Sequence, residues 1–186
     1  MDIVPNELSQ ERLEPEVILV PKEQARAFGR ALTQSLSPFL QEINNSLGSL
    51  TGNPHHQIVK NALLRIFNVV YGLEKAREVR LKQIGPGSDF RFSEETEEEE
   101  KPKQGEVLID RKITPKLVSA LNHTVRNPLF VISGFAEISE SEEAENISNA
   151  CSSIENVITP LSNAQKISIT TNTEGKTTII PIRDSS

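Results

Sequence analysis

Tryptophan is absent, tyrosine and cysteine occur once each, and seven phenylalanines bring the aromatic share to only 4%. Any core must rest on Leu, Ile, Val and Ala, which suits packed helices better than a β-sandwich rich in aromatic and β-branched side chains. The lone cysteine, Cys151, excludes an intrachain disulfide and any zinc site that needs paired cysteines. No apolar run approaches the roughly 20 residues of a membrane span, and no signal-peptide core follows Met1. Positive charge is in deficit too. Twenty Lys and Arg face 26 Asp and Glu, a net charge of −6. That argues against general nucleic-acid binding, because phosphate backbones need a basic surface. The expectation is a soluble, cytoplasmic chain of 186 residues with no metal, cofactor, nucleic acid or membrane among its partners.

What the sequence does have is helical periodicity. Four amphipathic stretches are predicted over 22–50, 54–83, 115–139 and 142–167. Asn53-Pro54 and Thr114-Pro115 are helix starts, with a capping side chain followed by a proline that fits the first turn. Apolar residues then recur every three or four positions, as in Ile58, Ala62, Ile66, Val69 and Leu73, or Leu117, Leu121, Val125, Leu129 and Ile132. Cys151 falls on the apolar stripe of the last stretch and reads as a small core residue. Gly85-Pro86-Gly87 is taken as the stop of the second stretch. The turns within each pair, Thr51-Gly52-Asn53 and Ser139-Glu140-Ser141, are short enough to force antiparallel neighbours.

Between the pairs, Ser88 to Gly105 holds the acidic run Glu94 to Glu100 and reads as a solvated linker. Short β-prone pieces, Glu16–Val20 and Glu106–Asp110, precede the two pairs, and a β-hairpin is predicted at Lys166–Thr171 and Thr177–Ile182. Glu16 and Glu106, Leu19 and Ile109, and Pro38 and Pro128 all lie 90 apart, which suggests one duplicated unit. That offset sets Thr33 opposite His123 and Ser37 opposite Asn127.

The stretch that carries chemistry is Leu121-Asn122-His123-Thr124-Val125-Arg126-Asn127-Pro128-Leu129. His123 is two residues from both Leu121 and Val125, about 200° round a helix from the apolar stripe, so it faces solvent. Arg126, Asn127 and Phe130 share its face. A large apolar residue beside an exposed histidine fits a protein-docking patch. Pro128 deprives the Thr124 carbonyl of its helical partner and predicts a bend one turn after His123.

His-x-x-Arg-Asn-Pro-Leu, followed by Val131 to Ile138, resembles the H-box of the dimerisation and histidine-phosphotransfer domain of bacterial sensor histidine kinases, over roughly Pro115 to Leu161. The resemblance implies that His123 carries a phosphoryl group, that Asn127 orients water for dephosphorylating a partner, and that Arg126, Thr124 and Phe130 meet that partner. It implies a mainly α fold of two tandem antiparallel helical hairpins in a four-helix bundle with short β additions. The divisions are 1–84 (a strand and a degenerate phosphotransfer-like hairpin), 85–105 (the acidic flexible linker) and 106–186 (the H-box hairpin with its C-terminal β-hairpin).

The chain departs from the family in three respects. Thr124 stands where an acidic residue usually follows the histidine, no glycine-rich ATP-lid or Asp-x-Gly-x-Gly pattern follows the second hairpin, and only 25 residues follow Leu161, too few for a nucleotide-binding domain. An ATP-dependent kinase is therefore not expected. The partner implied is a response-regulator receiver domain, whose aspartate would exchange phosphoryl with His123 using its own metal and acidic groups. The alternatives are a phosphatase acting on the receiver through Asn127, and a non-catalytic protein that docks a receiver or pairs with a histidine kinase and inhibits it. The chain is expected as a monomeric pseudo-dimer, or else as a homodimer.

Overall fold

The structure, a computed structural model, describes residues 14–94 and 101–184. Its first half runs β1 (Val17–Val20), α1 (Lys22–Gly48), α2 (His56–Lys75), β2 (Val79–Ile84) and β3 (Gly87–Phe92). The second half runs β4 (Gly105–Ile109), α3 (Thr114–Leu121), a π-helical segment (Asn122–Arg126), α4 (Asn127–Ile138), α5 (Glu142–Ile158), a 3-10 turn (Thr159–Asn163), β5 (Lys166–Thr171) and β6 (Thr177–Ile182).

The expectation of a mainly α four-helix bundle with short β additions is overturned. Six strands form two three-stranded antiparallel sheets, ordered β1-β2-β3 and β4-β5-β6, so the fold is mixed α and β. The reason lies at residues 76–92. The helix predicted over 54–83 stops at Lys75, where Ala76 turns extended at ψ 141°. Beyond it Val79 and Leu81 go inward while Arg80 stays out, a period of two that belongs to a strand. Gly85, at φ 54°, takes a left-handed conformation at the turn, and the pairing runs from Val79↔Phe92 to Ile84↔Gly87. Residues 87–92, assigned from sequence to the linker, are therefore a strand with Phe90 buried. The last predicted helix is likewise cut short, because 159–163 form a 3-10 turn and 166–167 begin β5. The remainder of the acidic run, Glu95–Glu100, lies outside the described residues.

Helix starts follow local chemistry. Asn53 Oδ1 accepts the His55 N–H at 2.9 Å, Pro115 fills the first turn of α3, and Ser141 Oγ accepts the Ala144 N–H at 3.1 Å. The predicted C-terminal β-hairpin is present as β5 and β6.

Both halves run strand, helix, helix, strand, strand, so one structural unit occurs twice, but its offset is 89 rather than 90. A one-residue slip turns every strand side chain to the other face, and burial decides between the two registers. Val20 (1% exposed) matches Ile109 (0%), whereas Leu19, paired with Ile109 by the offset of 90, is 55% exposed. The buried residues Leu32, Leu36, Leu40 and Ile43 of α1 match Leu121, Val125, Leu129 and Ile132. In α2 and α5 the offset is 88, as in Val59 with Ile147 and Ile66 with Ile154. The sheets agree, since Val17↔Lys82 in one becomes Glu106↔Thr170 in the other. The counterpart of His123 is therefore Gln34, not Thr33, and that of Asn127 is Pro38, not Ser37. The two prolines are not equivalent: Pro38 is exposed and Pro128 is buried.

One buried cluster of mainly Leu, Ile, Val and Ala spans both halves. Helix α1 packs against α2 and α5, and α4 packs against the same two helices. The sheets are exchanged: β2 and β3 lie on α3 of the second half, and all three strands β4, β5 and β6 reach α1 of the first.

Candidate functional site

The helix that holds His123 changes its winding there. The Asn127 N–H bonds to the Asn122 carbonyl, five residues back, and a π-helical segment covers Asn122–Arg126 immediately before Pro128. Pro128 has no N–H to offer, so regular i→i−4 bonding cannot pass through it. The widened turn lies where a bend is predicted after His123, and such segments often occur at functional sites. Thr124 returns its hydroxyl to the helix, donating from Oγ1 to the Ala120 carbonyl at 2.6 Å. Helix α1 absorbs Pro38 without any π segment.

His123 is exposed, and its Nδ1 lies 3.2 Å from Nδ2 of Asn127, which is exposed too. With Nδ2 toward the ring, the amide donates to Nδ1 and the ring proton sits on Nε2. A half-turn of the amide brings Oδ1 to the same place. Nδ1–H then donates, and Nε2 holds the lone pair. Each amide orientation thus pairs with one neutral tautomer, and the second leaves Nε2 with the lone pair that a nucleophile needs.

The ring opens into a cleft of about 1000 Å³ between α2, β3 and the π segment. His123, Thr124 and Asn127 line it beside Pro128 and Val131. The facing wall comes from the first half and includes Asn61, Arg65 and Asn68 of α2, and Asp89 and Arg91 of β3. Sequence reasoning missed this wall because it placed β3 in the linker. The alternation of Phe90 and Phe92, and the repeat itself applied to the predicted C-terminal hairpin, were the signals that pointed to it.

Arg126 and Phe130 are on the other side. The Arg126 guanidinium turns to α5, 3.3 Å from a Glu155 carboxylate oxygen, and donates to Thr159 Oγ1 at 3.1 Å. Phe130 is 64% exposed and borders a separate groove between α4 and α5 with Arg126, Ser152 and Glu155. The five residues singled out from sequence therefore divide into two grooves along one ridge. Cys151, at the floor of the second groove, is buried, and burial first, then the Glu155 charge, pushes its thiol up to about 12. The native protein should resist a thiol-reactive dye at pH 8 and react fully in denaturant. Rapid labelling of the folded chain would contradict the burial.

The position equivalent to His123 is differently employed. Gln34 donates to the Gly175 carbonyl at 2.9 Å and accepts at 2.8 Å from both the N–H and the hydroxyl of Thr177, so the β5–β6 hairpin holds it. In the other half the Thr177 counterpart is Ser88, and its N–H goes to Ser119 Oγ at 3.2 Å, one turn before His123. Among the described residues the β2–β3 hairpin makes no hydrogen bond to the histidine.

Among the described residues no helix is long and apolar enough to cross a membrane. Set against known protein families, curated proteins and solved structures, the chain matches none.

Proposed function

We propose that the chain is a histidine phosphotransfer module of a two-component phosphorelay, exchanging phosphoryl between His123 and the aspartate of a response-regulator receiver domain in the cytoplasm. The observation that carries this reading is an exposed imidazole whose Nδ1 is held by Asn127 at 3.2 Å, at the mouth of an open cleft. With Nδ1–H given to Oδ1, Nε2 attacks the phosphorus of the aspartyl phosphate. The P–N bond forms as the P–O bond breaks, the carboxylate leaves with the electron pair, and the phosphorylated ring keeps its Nδ1 proton. Transfer back to an aspartate is the same path reversed. The protein contributes mainly position, since the receiver brings its own metal and acidic groups.

The test is incubation with a phosphorylated receiver. Wild-type protein should gain an acid-labile label, and His123→Ala should gain none. Asn127→Ala should slow labelling about tenfold or more, the cost of losing one well-oriented hydrogen bond in the transition state. Phosphate release without label would identify a phosphatase instead. Binding with neither label nor release would identify a docking protein, and either result would end the phosphotransfer reading.

A further inference from the structure

We infer that the half lacking the histidine builds a phosphate-binding wall for the His123 cleft, with Arg65 as its principal charge. The inference takes its purpose from the phosphotransfer reading, while its chemistry is independent of it. Both guanidinium groups of the cleft, Arg65 and Arg91, come from the first half. Arg91 lies 3.8 Å from the Asp89 carboxylate, so its charge is partly answered within β3. Arg65 is exposed on α2 and makes no ion pair among the described residues. In a chain of net charge −6, the cleft carries one cation more than its anions before the histidine is counted.

The duplication supplies an internal control. The α2 asparagines of the cleft, Asn61 and Asn68, have asparagine counterparts in α5, Asn149 and Asn156. The arginines do not. At the same offsets Arg65 corresponds to Ser153, whose hydroxyl returns to the Asn149 carbonyl at 3.0 Å, and Arg91 corresponds to Ile180. The two arginines that line the histidine's cleft thus have no cationic counterparts at the matching positions of the other half. A phosphoryl group brings two or more negative charges, and a guanidinium offers paired N–H donors that match two of its oxygens at once. The amides of Asn61, Asn68 and Asn127 add neutral donors around the same space.

The experiment titrates the full chain with inorganic phosphate and follows the ring resonances of His123, assigned by comparison with His123→Ala. Phosphate should move the His123 signals in wild type. Arg65→Gln should weaken that response about tenfold or more, as expected for loss of a charge-assisted bond, and Arg65→Lys should restore part of it. Unchanged binding in Arg65→Gln, or no response in wild type, would overturn the inference. Receiver transfer is assayed separately. A wild type that binds phosphate at Arg65 but accepts no phosphoryl would sink the phosphotransfer reading and leave this site standing.

Discussion

Replacing Gly29 with alanine should lower stability by about 3 kcal/mol or more, at the upper end of overpacking costs and a large share of a typical domain's total. At Gly29 the backbone of α1 lies close against that of α2. A Cβ there would lie 2.5 Å from the Glu74 backbone nitrogen and 2.7 Å from the Leu73 carbonyl carbon. Backbone cannot move aside as a flexible side chain does, so the helices must separate. Phe28, Leu32 and Leu73, all 0% exposed, would then lose their packing. Helix propensity works the other way, since alanine in a helix interior is favoured over glycine by about 1 kcal/mol. Gly134 of α4 isolates that effect, because a Cβ there meets nothing within 4 Å. Thermal unfolding should show Gly134→Ala equal to or above wild type and Gly29→Ala lower by roughly 6–12 °C. Equal melting of the two variants would show that the approach at Gly29 does not limit the packing.

Cutting the chain between Gln104 and Gly105 should leave two fragments that do not fold cooperatively alone and recover native structure when mixed. The exchanged sheets are the reason. Strands β2 and β3 of the first sheet rest on α3, those of the second rest on α1, and the helices share one core. Either fragment alone would expose the apolar faces of two helices and one face of a sheet, area that normally supplies most of the folding energy at about 25 cal/mol per Å². The measurement is far-UV circular dichroism with urea titration on each fragment and on the equimolar mixture, with light scattering for size. A sharp, monomeric unfolding transition in either fragment would refute the interdependence of the halves.

The helical stretches, the starting strands and the C-terminal hairpin were legible in the sequence because each has an unambiguous local period or a strong cap. The β2–β3 hairpin was not. Arg77 to Lys82 contains good helix formers, and nothing before Gly85 breaks the chain strongly, so the local pattern of α2 runs on through it. Tertiary packing of Val79 and Leu81 decides otherwise, placing them in the core as a strand. The repeat was visible and its register was not. Matching Glu16 with Glu106 aligns surface residues and matching Pro38 with Pro128 sets an exposed residue against a buried one, whereas burial aligns Val20 with Ile109 and Leu36 with Val125. For the site, the exposed face of His123, Asn127 and Phe130 followed from helical geometry. Their separation into two grooves, and the Arg65 wall, depend on how α2 and β3 lie across the π segment, which no local pattern encodes.

The exchanged sheets carry one more consequence. In a dimer of identical chains every substitution appears twice, and a change that improves one site alters its twin. Here the two copies are joined in one polypeptide and cover each other's cores, so their ratio stays one to one at any dilution. Each side can also drift by itself. Gln34 can be tied down by Thr177 while His123 stays open, and Arg65 can face the histidine while Ser153 occupies the matching place. Symmetry supplied the scaffold, and covalent linkage removed the obligation to keep it.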